Sequence, residues 1–122
     1  MVFVVTNQGG IAKGYYNEAQ MHRFHWKLKF ELSKSSAWID DFAFCPHYPY
    51  PPNHPKICSC RKPSPKLILQ LSKRWNIKTS NILMIGDKQT DVDAAENADC
   101  SGFLFRGDNI YEFSKSVIPD LL

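Results

Sequence analysis

Two ligand-x-ligand pairs stand out in this 122-residue chain: Cys45-Pro46-His47, and Cys58-Ser59-Cys60 ten residues further on. Three thiolates and an imidazole form a Cys₃His set, which suits tetrahedral zinc, and a closed four-ligand site of this kind is structural rather than catalytic. The span between the pairs is rich in proline and poor in apolar anchors, so a bound metal would supply its folding energy. His54 is a substitute ligand, ranked below His47 because it lies mid-loop without a paired neighbour. The plainer alternative is three reduced core cysteines and two surface histidines.

Two further groups could handle phosphate. In Thr6-Asn-Gln-Gly-Gly-Ile-Ala-Lys-Gly14, adjacent glycines allow close backbone approach to a ligand. Free N–H groups and the Thr6 hydroxyl can cradle an oxyanion, and Lys13 adds a mobile charge. The competing reading is a surface turn. Arg61-Lys62 directly follows the metal pairs, so a bound metal would fix where the ammonium points. Asp87 lies where an apolar run meets a loop, and a carboxylate there suits Mg²⁺, a hard cation that prefers oxygen ligands. A cation, a hydroxyl with backbone donors and a Mg²⁺ carboxylate together are the parts of a phosphoryl-transfer site. Taken singly, Arg61-Lys62 is also a solvated charge pair, and Asp87 a turn or cap residue.

The elements that must position these groups follow from apolar patterning. Val2–Val5, Phe42–Phe44, Asn81–Ile85 and Gly102–Phe105 are short apolar runs of the kind that form buried strands. Asn17 is placed to cap a helix from Glu18 to Leu32, with Met21, Phe24, Leu28 and Leu32 on its inner face. Ser64-Pro65 opens a helix whose stripe is Leu67, Ile68, Leu71 and Trp75. Thr90 is the expected cap of a helix reaching Ala98, and Ile110–Val117 is a closing helix. Strands alternating with helices predict an α/β domain with a mainly parallel sheet, in which ligands bind beyond the carboxyl ends of the strands.

Composition bounds the rest. At 122 residues, 43% hydrophobic and 22% charged, the chain is expected to form one globular domain, residues 1–122. No apolar run approaches the ~20 residues of a membrane span, and the opening apolar stretch is too short for a signal peptide. A net charge of +3 is too small to point to nucleic acid. Without a sign of secretion the cysteines are expected to be reduced, in the cytoplasm, with Cys100 a small buried apolar residue.

The ordered motifs Val4–Gly14, Cys45-Pro-His47, Cys58-Ser-Cys-Arg-Lys-Pro63 and Met84-Ile-Gly-Asp-Lys-Gln-Thr-Asp91, followed by Ala94-Ala-Glu-Asn-Ala98, resemble those of phosphatases of the haloacid-dehalogenase (HAD) superfamily. The resemblance is above all to the heptose 1,7-bisphosphate phosphatase subfamily, with histidinol-phosphate phosphatases a near relative. It implies a HAD-like, Rossmann-type parallel sheet with helices on both faces and a zinc-binding proline-rich loop. It also implies that Thr6 and Lys62 hold the transferring phosphoryl group and that Asn7, Gln8, Gly9 and Arg61 touch a phosphorylated sugar. Asp87 would ligate Mg²⁺ with Lys88 beside it, and Cys45, His47, Cys58 and Cys60 would hold zinc. The glycine-rich loop favours heptose bisphosphate, whereas Pro65-Lys66 departs from the Pro-Gly expected of heptose enzymes.

The family opens with a central strand ending in Asp-x-Asp, whose first carboxylate attacks phosphorus and whose second acts as general acid and base. Here Met1 abuts the family's second strand, so the expectation is an N-terminally truncated domain that lacks its nucleophile. The only Asp-x-Asp, Asp91-Val-Asp93, falls in a predicted first helical turn. Two strand edges would then be left to pair with another chain. The polypeptide alone would be catalytically silent, and the reading from another functional class is a zinc-stabilised module that binds a phosphorylated ligand without turning it over.

Overall fold

The computed structural model describes residues 1–48 and 58–118. The chain divides into two compact units, Met1–Arg61 and Lys62–Leu122. In the first, strand β1 (Phe3–Asn7) is followed by a short helix α1 (Gly9–Ala12), a long helix α2 (Glu18–Ser33) and strand β2 (Asp41–Cys45). In the second, α3 (Lys66–Trp75) leads through a 3₁₀ turn to β3 (Leu83–Gly86), α4 (Gln89–Asn97), β4 (Ser101–Leu104) and α5 (Ile110–Val117).

Each unit contains a βαβ crossover. β1 pairs parallel with β2, Phe3 opposite Asp41 and Asn7 opposite Cys45. β3 pairs parallel with β4, Leu83 opposite Ser101 and Gly86 opposite Leu104. The α/β architecture with parallel strands is thus the expected one, and among the described residues its strands are joined as two two-stranded sheets. Parallel pairing requires a crossover long enough to carry a helix, and α2 and α4 are those crossovers.

Local sequence explains most of the boundaries. Asn17 caps α2: its side chain accepts from the Gln20 N–H while the Gln20 side chain accepts from the Asn17 N–H, each at 2.9 Å. α3 buries Leu67, Ile68 and Leu71, with Trp75 half-buried, and ends at Asn76 in the left-handed conformation. Proline at the start of α3 sits one place earlier than expected: Pro65 is the cap position, and Ser64 Oγ accepts from the Lys66 N–H at 3.3 Å. α4 presents Val92, Ala94 and Ala95 inward. A Cβ on Gly102 would lie 3.0 Å from the Ala95 Cβ, so glycine lets this helix close onto β4.

Three expectations are corrected. Gly9–Ala12, read as part of a turn, is a helical turn. Thr90 is not the cap of α4 but lies inside it; Lys88 holds the cap position. On α2 the inner face is Met21, His25, Leu28 and Leu32, while Phe24 is 63% exposed. His25 wins that place because its ring stacks on Phe42 of β2 with centroids 4.1 Å apart. Cys100 is buried, as expected of a small apolar residue. Among the described residues no helix is long and apolar enough to cross a membrane.

Candidate metal centre and phosphate-binding residues

The expected site residues divide between the two units. Thr6, Asn7, Gln8, Gly9, Lys13, Cys45, His47, Cys58, Cys60 and Arg61 belong to the first; Lys62, Asp87 and Lys88 belong to the second. In the first unit the parallel ladder does the positioning. Asn7 lies opposite Cys45, and the Gln8 N–H donates to the Cys45 carbonyl at 2.7 Å. The loop after β1 and the loop after β2 therefore leave the sheet side by side.

At that end Cys45, His47, Cys58 and Cys60 place their ligand atoms within 4.8 Å of one another. Cys45 Sγ lies 3.5 Å from His47 Nδ1 and 3.5 Å from Cys58 Sγ, and His47 Nδ1 lies 3.3 Å from Cys60 Sγ. Ligands on a zinc tetrahedron stand roughly 3.5–3.8 Å apart, given Zn–S near 2.3 Å and Zn–N near 2.0 Å. The two 3.5 Å separations fit; His47 to Cys60 at 3.3 Å is slightly short and Cys45 to Cys60 at 2.9 Å is tighter. No disulfide joins any of the cysteines. Cys45 is fully buried, and burial, reinforced by the hydrogen bond with Cys60, pushes its thiol up to about 12. Burial also raises the Cys58 thiol, but backbone donors from Arg61 and Cys60 and the neighbouring thiols outweigh it, leaving the value below the ordinary one. Three thiols, one of them deep in the fold, converging with an imidazole form a donor set matched to a soft or borderline divalent cation. His54 lies outside the described residues.

The glycine-rich loop packs directly on this centre. Arg61 Nη1 donates to the His47 carbonyl at 3.1 Å, and its guanidinium carbon stands 5.6 Å from the Tyr48 ring. Lys13 Nζ covers the same ring at 3.8 Å. A Cβ on Gly9 would come 3.0 Å from Tyr48 and 3.3 Å from Arg61, so glycine allows the two loops to close on one another. Two cations are thereby gathered at the Tyr48 ring, while Thr6, Asn7 and Gln8 are half-buried. The Thr6 hydroxyl oxygen accepts from Gln8 Nε2 at 3.1 Å, and Gln8 Oε1 in turn accepts from the Tyr16 hydroxyl.

In the second unit Lys62 does not stand alone. Its ammonium pairs with Asp91 at 2.6 Å, the two side chains being 11% and 5% exposed. The other Asp91 oxygen accepts from the Lys88 N–H at 3.1 Å, which closes the first turn of α4. Gly86 makes this possible, because a Cβ there would overlap the Asp91 carboxylate. The sequence places Asp91 in a first helical turn, and that position alone gives no hint of its partnership with Lys62. The signal was present in Gly86-Asp87-Lys88-Gln89-Thr90-Asp91, where the glycine clears room for the carboxylate that follows. Asp87 itself is exposed in the turn after β3, with Lys88 beside it. An exposed carboxylate at a strand end offers oxygen ligands to a hard cation.

Comparison with known proteins bears on the same residues. A family model for HAD-hydrolase-like proteins matches residues 59–111. A D-glycero-β-D-manno-heptose-1,7-bisphosphate 7-phosphatase of Rhodopseudomonas palustris is 38% identical over 122 residues, covering 98% of this chain and 68% of its own. The chain belongs to the HAD-like phosphatase family. A D-glycero-α-D-manno-heptose-1,7-bisphosphate 7-phosphatase of Photorhabdus laumondii is 39% identical across 80% of this chain. Among solved structures, the D,D-heptose 1,7-bisphosphate phosphatase of Bordetella bronchiseptica, complexed with magnesium and phosphate, aligns with a TM-score of 0.77 at 30% identity over 85% of the chain. A HAD-like phosphatase from Mesorhizobium loti aligns at 0.79 with 28% identity over 88% of the chain. The chain spans 54% of the Photorhabdus relative and 55% of the Bordetella one.

Proposed function

We propose that this chain serves a cytoplasmic phosphomonoester hydrolase of the D-glycero-D-manno-heptose 1,7-bisphosphate 7-phosphatase type, its two units forming one HAD-like domain. The observation that carries this is the 38% identity to the Rhodopseudomonas relative along 98% of the chain. In this reading Thr6 and Lys62 hold the phosphoryl group, the ammonium offsetting its charge. Asn7, Gln8, Gly9, Arg61 and Lys88 touch the remainder of a phosphorylated sugar. Zinc is held by Cys45, His47, Cys58 and Cys60 and fixes the loop from which Arg61 and Lys62 emerge. Asp87 is the ligand for Mg²⁺, which when bound stabilises charge on the phosphoryl oxygens. The heptose substrate is preferred to histidinol phosphate because the named relatives act on heptose bisphosphates of both anomers. Nucleic acid and membrane partners have no support in charge or hydropathy.

The one Asp-x-Asp of the sequence does not supply a nucleophile. Asp91 is committed to Lys62, and Asp93 accepts from Gln89 Nε2 at 2.9 Å. The 122 residues therefore hold the anchoring side of the reaction and not its attacking carboxylate. The test compares the purified chain with the same chain fused behind a segment carrying the family's Asp-x-Asp strand. Both are supplied with Mg²⁺ and heptose bisphosphate or histidinol phosphate, and released phosphate is measured. The chain alone should bind substrate without releasing phosphate, and the fusion should hydrolyse the heptose bisphosphate. Brisk turnover by the chain alone overturns the assignment of the chemistry; a folded fusion inert on both substrates overturns the family activity for this sequence.

A further inference from the structure

A hydroxyl can face a phosphoryl oxygen as a donor only if its own proton is not spent elsewhere. Thr6 meets that condition through a neighbour. Its oxygen accepts from Gln8 Nε2 at 3.1 Å, which leaves the Thr6 O–H to donate. The orientation is not forced by Gln8 alone. A glutamine amide can turn over, exchanging its oxygen for its nitrogen at little cost in shape. Turned over, Gln8 would present Oε1 to Thr6 and take up the very proton the ligand needs.

Tyr16 breaks that symmetry. Its hydroxyl donates to Gln8 Oε1. A phenol is a stronger donor and a poorer acceptor than an aliphatic alcohol, so Tyr16 favours the arrangement in which it gives a proton and Thr6 receives one. The ring is steered into place from one side, since a Cβ on Gly10 would run into it. On another side it borders a cavity of about 320 Å³ lined by Gln8, Gln20, Met21 and Phe24, so packing alone does not fix the phenol. The hydrogen bond to Gln8 completes its placement.

We propose that Tyr16 and Gln8 are positioning residues that set the Thr6 hydroxyl as a hydrogen-bond donor toward a bound phosphate. This rests on the reading of Thr6 as a phosphate ligand. Neither residue needs to touch the phosphate for the effect, which is carried by the direction of one proton. The result is a gain in preorganisation, because Thr6 no longer divides its time between two hydrogen-bonding states.

The experiment is a double-mutant cycle on the full chain with inorganic phosphate as probe, titrated by NMR, for the parent, Thr6→Val, Tyr16→Phe and the double variant. Loss of a hydrogen bond to a charged group is expected to weaken phosphate roughly tenfold or more in Thr6→Val. Tyr16→Phe should weaken it about three- to tenfold when Thr6 is present and by less than about twofold when it is not. Equal effects of Tyr16→Phe in both backgrounds, or no effect beside a clear Thr6→Val loss, would overturn the relay while leaving Thr6 as a ligand. If Thr6→Val leaves phosphate affinity unchanged, the phosphate reading itself fails. The relay is then judged without ligand, from the Gln8 side-chain amide protons. Thr6→Val should shift one of the pair, and Tyr16→Phe should bring the two toward exchange; an unmoved pair in both variants overturns it.

Discussion

Asp91→Asn removes the carboxylate charge of the Lys62–Asp91 pair while keeping its shape. Asparagine retains one carbonyl oxygen able to accept from the Lys88 N–H, so the cap of α4 survives while the charge and the acceptor facing Lys62 are lost. What remains is an ammonium whose side chain is 11% exposed, facing a neutral amide. Breaking a buried pair by removing one partner typically costs about 3–5 kcal/mol, because the remaining charge stays desolvated. The single amide oxygen is spent on the Lys88 N–H, so the NH₂ faces Lys62, and the expected cost is at least about 3 kcal/mol. For a chain of this length that is a fall in Tm of roughly 10–15 °C. Urea unfolding followed by circular dichroism should show a lower midpoint with an unchanged slope. A companion variant, Lys62→Met, and the double variant decide the cause. If loss of the carboxylate charge opposite Lys62 is responsible, the double variant should cost about 2 kcal/mol less than the sum of the singles. A loss below about 1 kcal/mol in Asp91→Asn, or strict additivity, would refute this account of the pair.

Three further outcomes are expected. Removing metal with a strong chelator should release a single zinc equivalent and lower Tm by many degrees, since a structural zinc contributes folding energy directly; Cys60→Ser should do the same, Cys100→Ser should release none, and an unchanged melt with chelator would sink the metal centre. Gly86→Ala should destabilise by about 2 kcal/mol through the clash with the Asp91 carboxylate, measured by the same urea titration. His25 should make the fold acid-sensitive. Burial, with His22 beside it, lowers its pKa from 6.5, so the folded chain binds this proton less readily than the unfolded one. Its contribution is therefore intact above pH 6.5 and lost progressively as pH falls below that value toward the folded pKa. His25→Gln should flatten that part of the stability–pH curve, and an unchanged slope would remove His25 as its source.

What was legible in the sequence was what local chemistry decides. The Asn17 cap, the α3 stripe and the bounds of α5 follow from side chains acting within a turn or two of themselves. The convergence of Cys45, His47, Cys58 and Cys60 was legible for a related reason: metal-ligand residue types at short spacing in a proline-rich stretch constrain one another whatever surrounds them. Misreadings began where two local solutions were equally good. On α2, Met21-Phe24-Leu28 and Met21-His25-Leu28 both fit a helical face, and hydrophobicity chose Phe24. The fold chose His25, because Phe42 arrives on the neighbouring strand at stacking distance. Tertiary contact outranks the apolar pattern there.

Asp91 shows the same limit at the candidate site. Its position in a first helical turn has a sufficient local explanation, and a sufficient explanation hides a second one. Lys62 reaches it from the other end of α3, a contact that no window along the sequence contains. The clue lay one step away, at Gly86, where the absence of a side chain has no local use in a strand end but clears the volume the carboxylate fills. Gly10 reads the same way with respect to Tyr16. In both loops the glycine marks a polar side chain that holds a phosphate-binding candidate, Lys62 in one case and Thr6 in the other. The glycines of these motifs thus leave room for side chains of the protein itself. They admit the side chains that hold these candidates in place, Asp91 against Lys62 and Tyr16 against the Gln8 that bonds Thr6, and those residues are where substitutions are expected to disturb the candidates first.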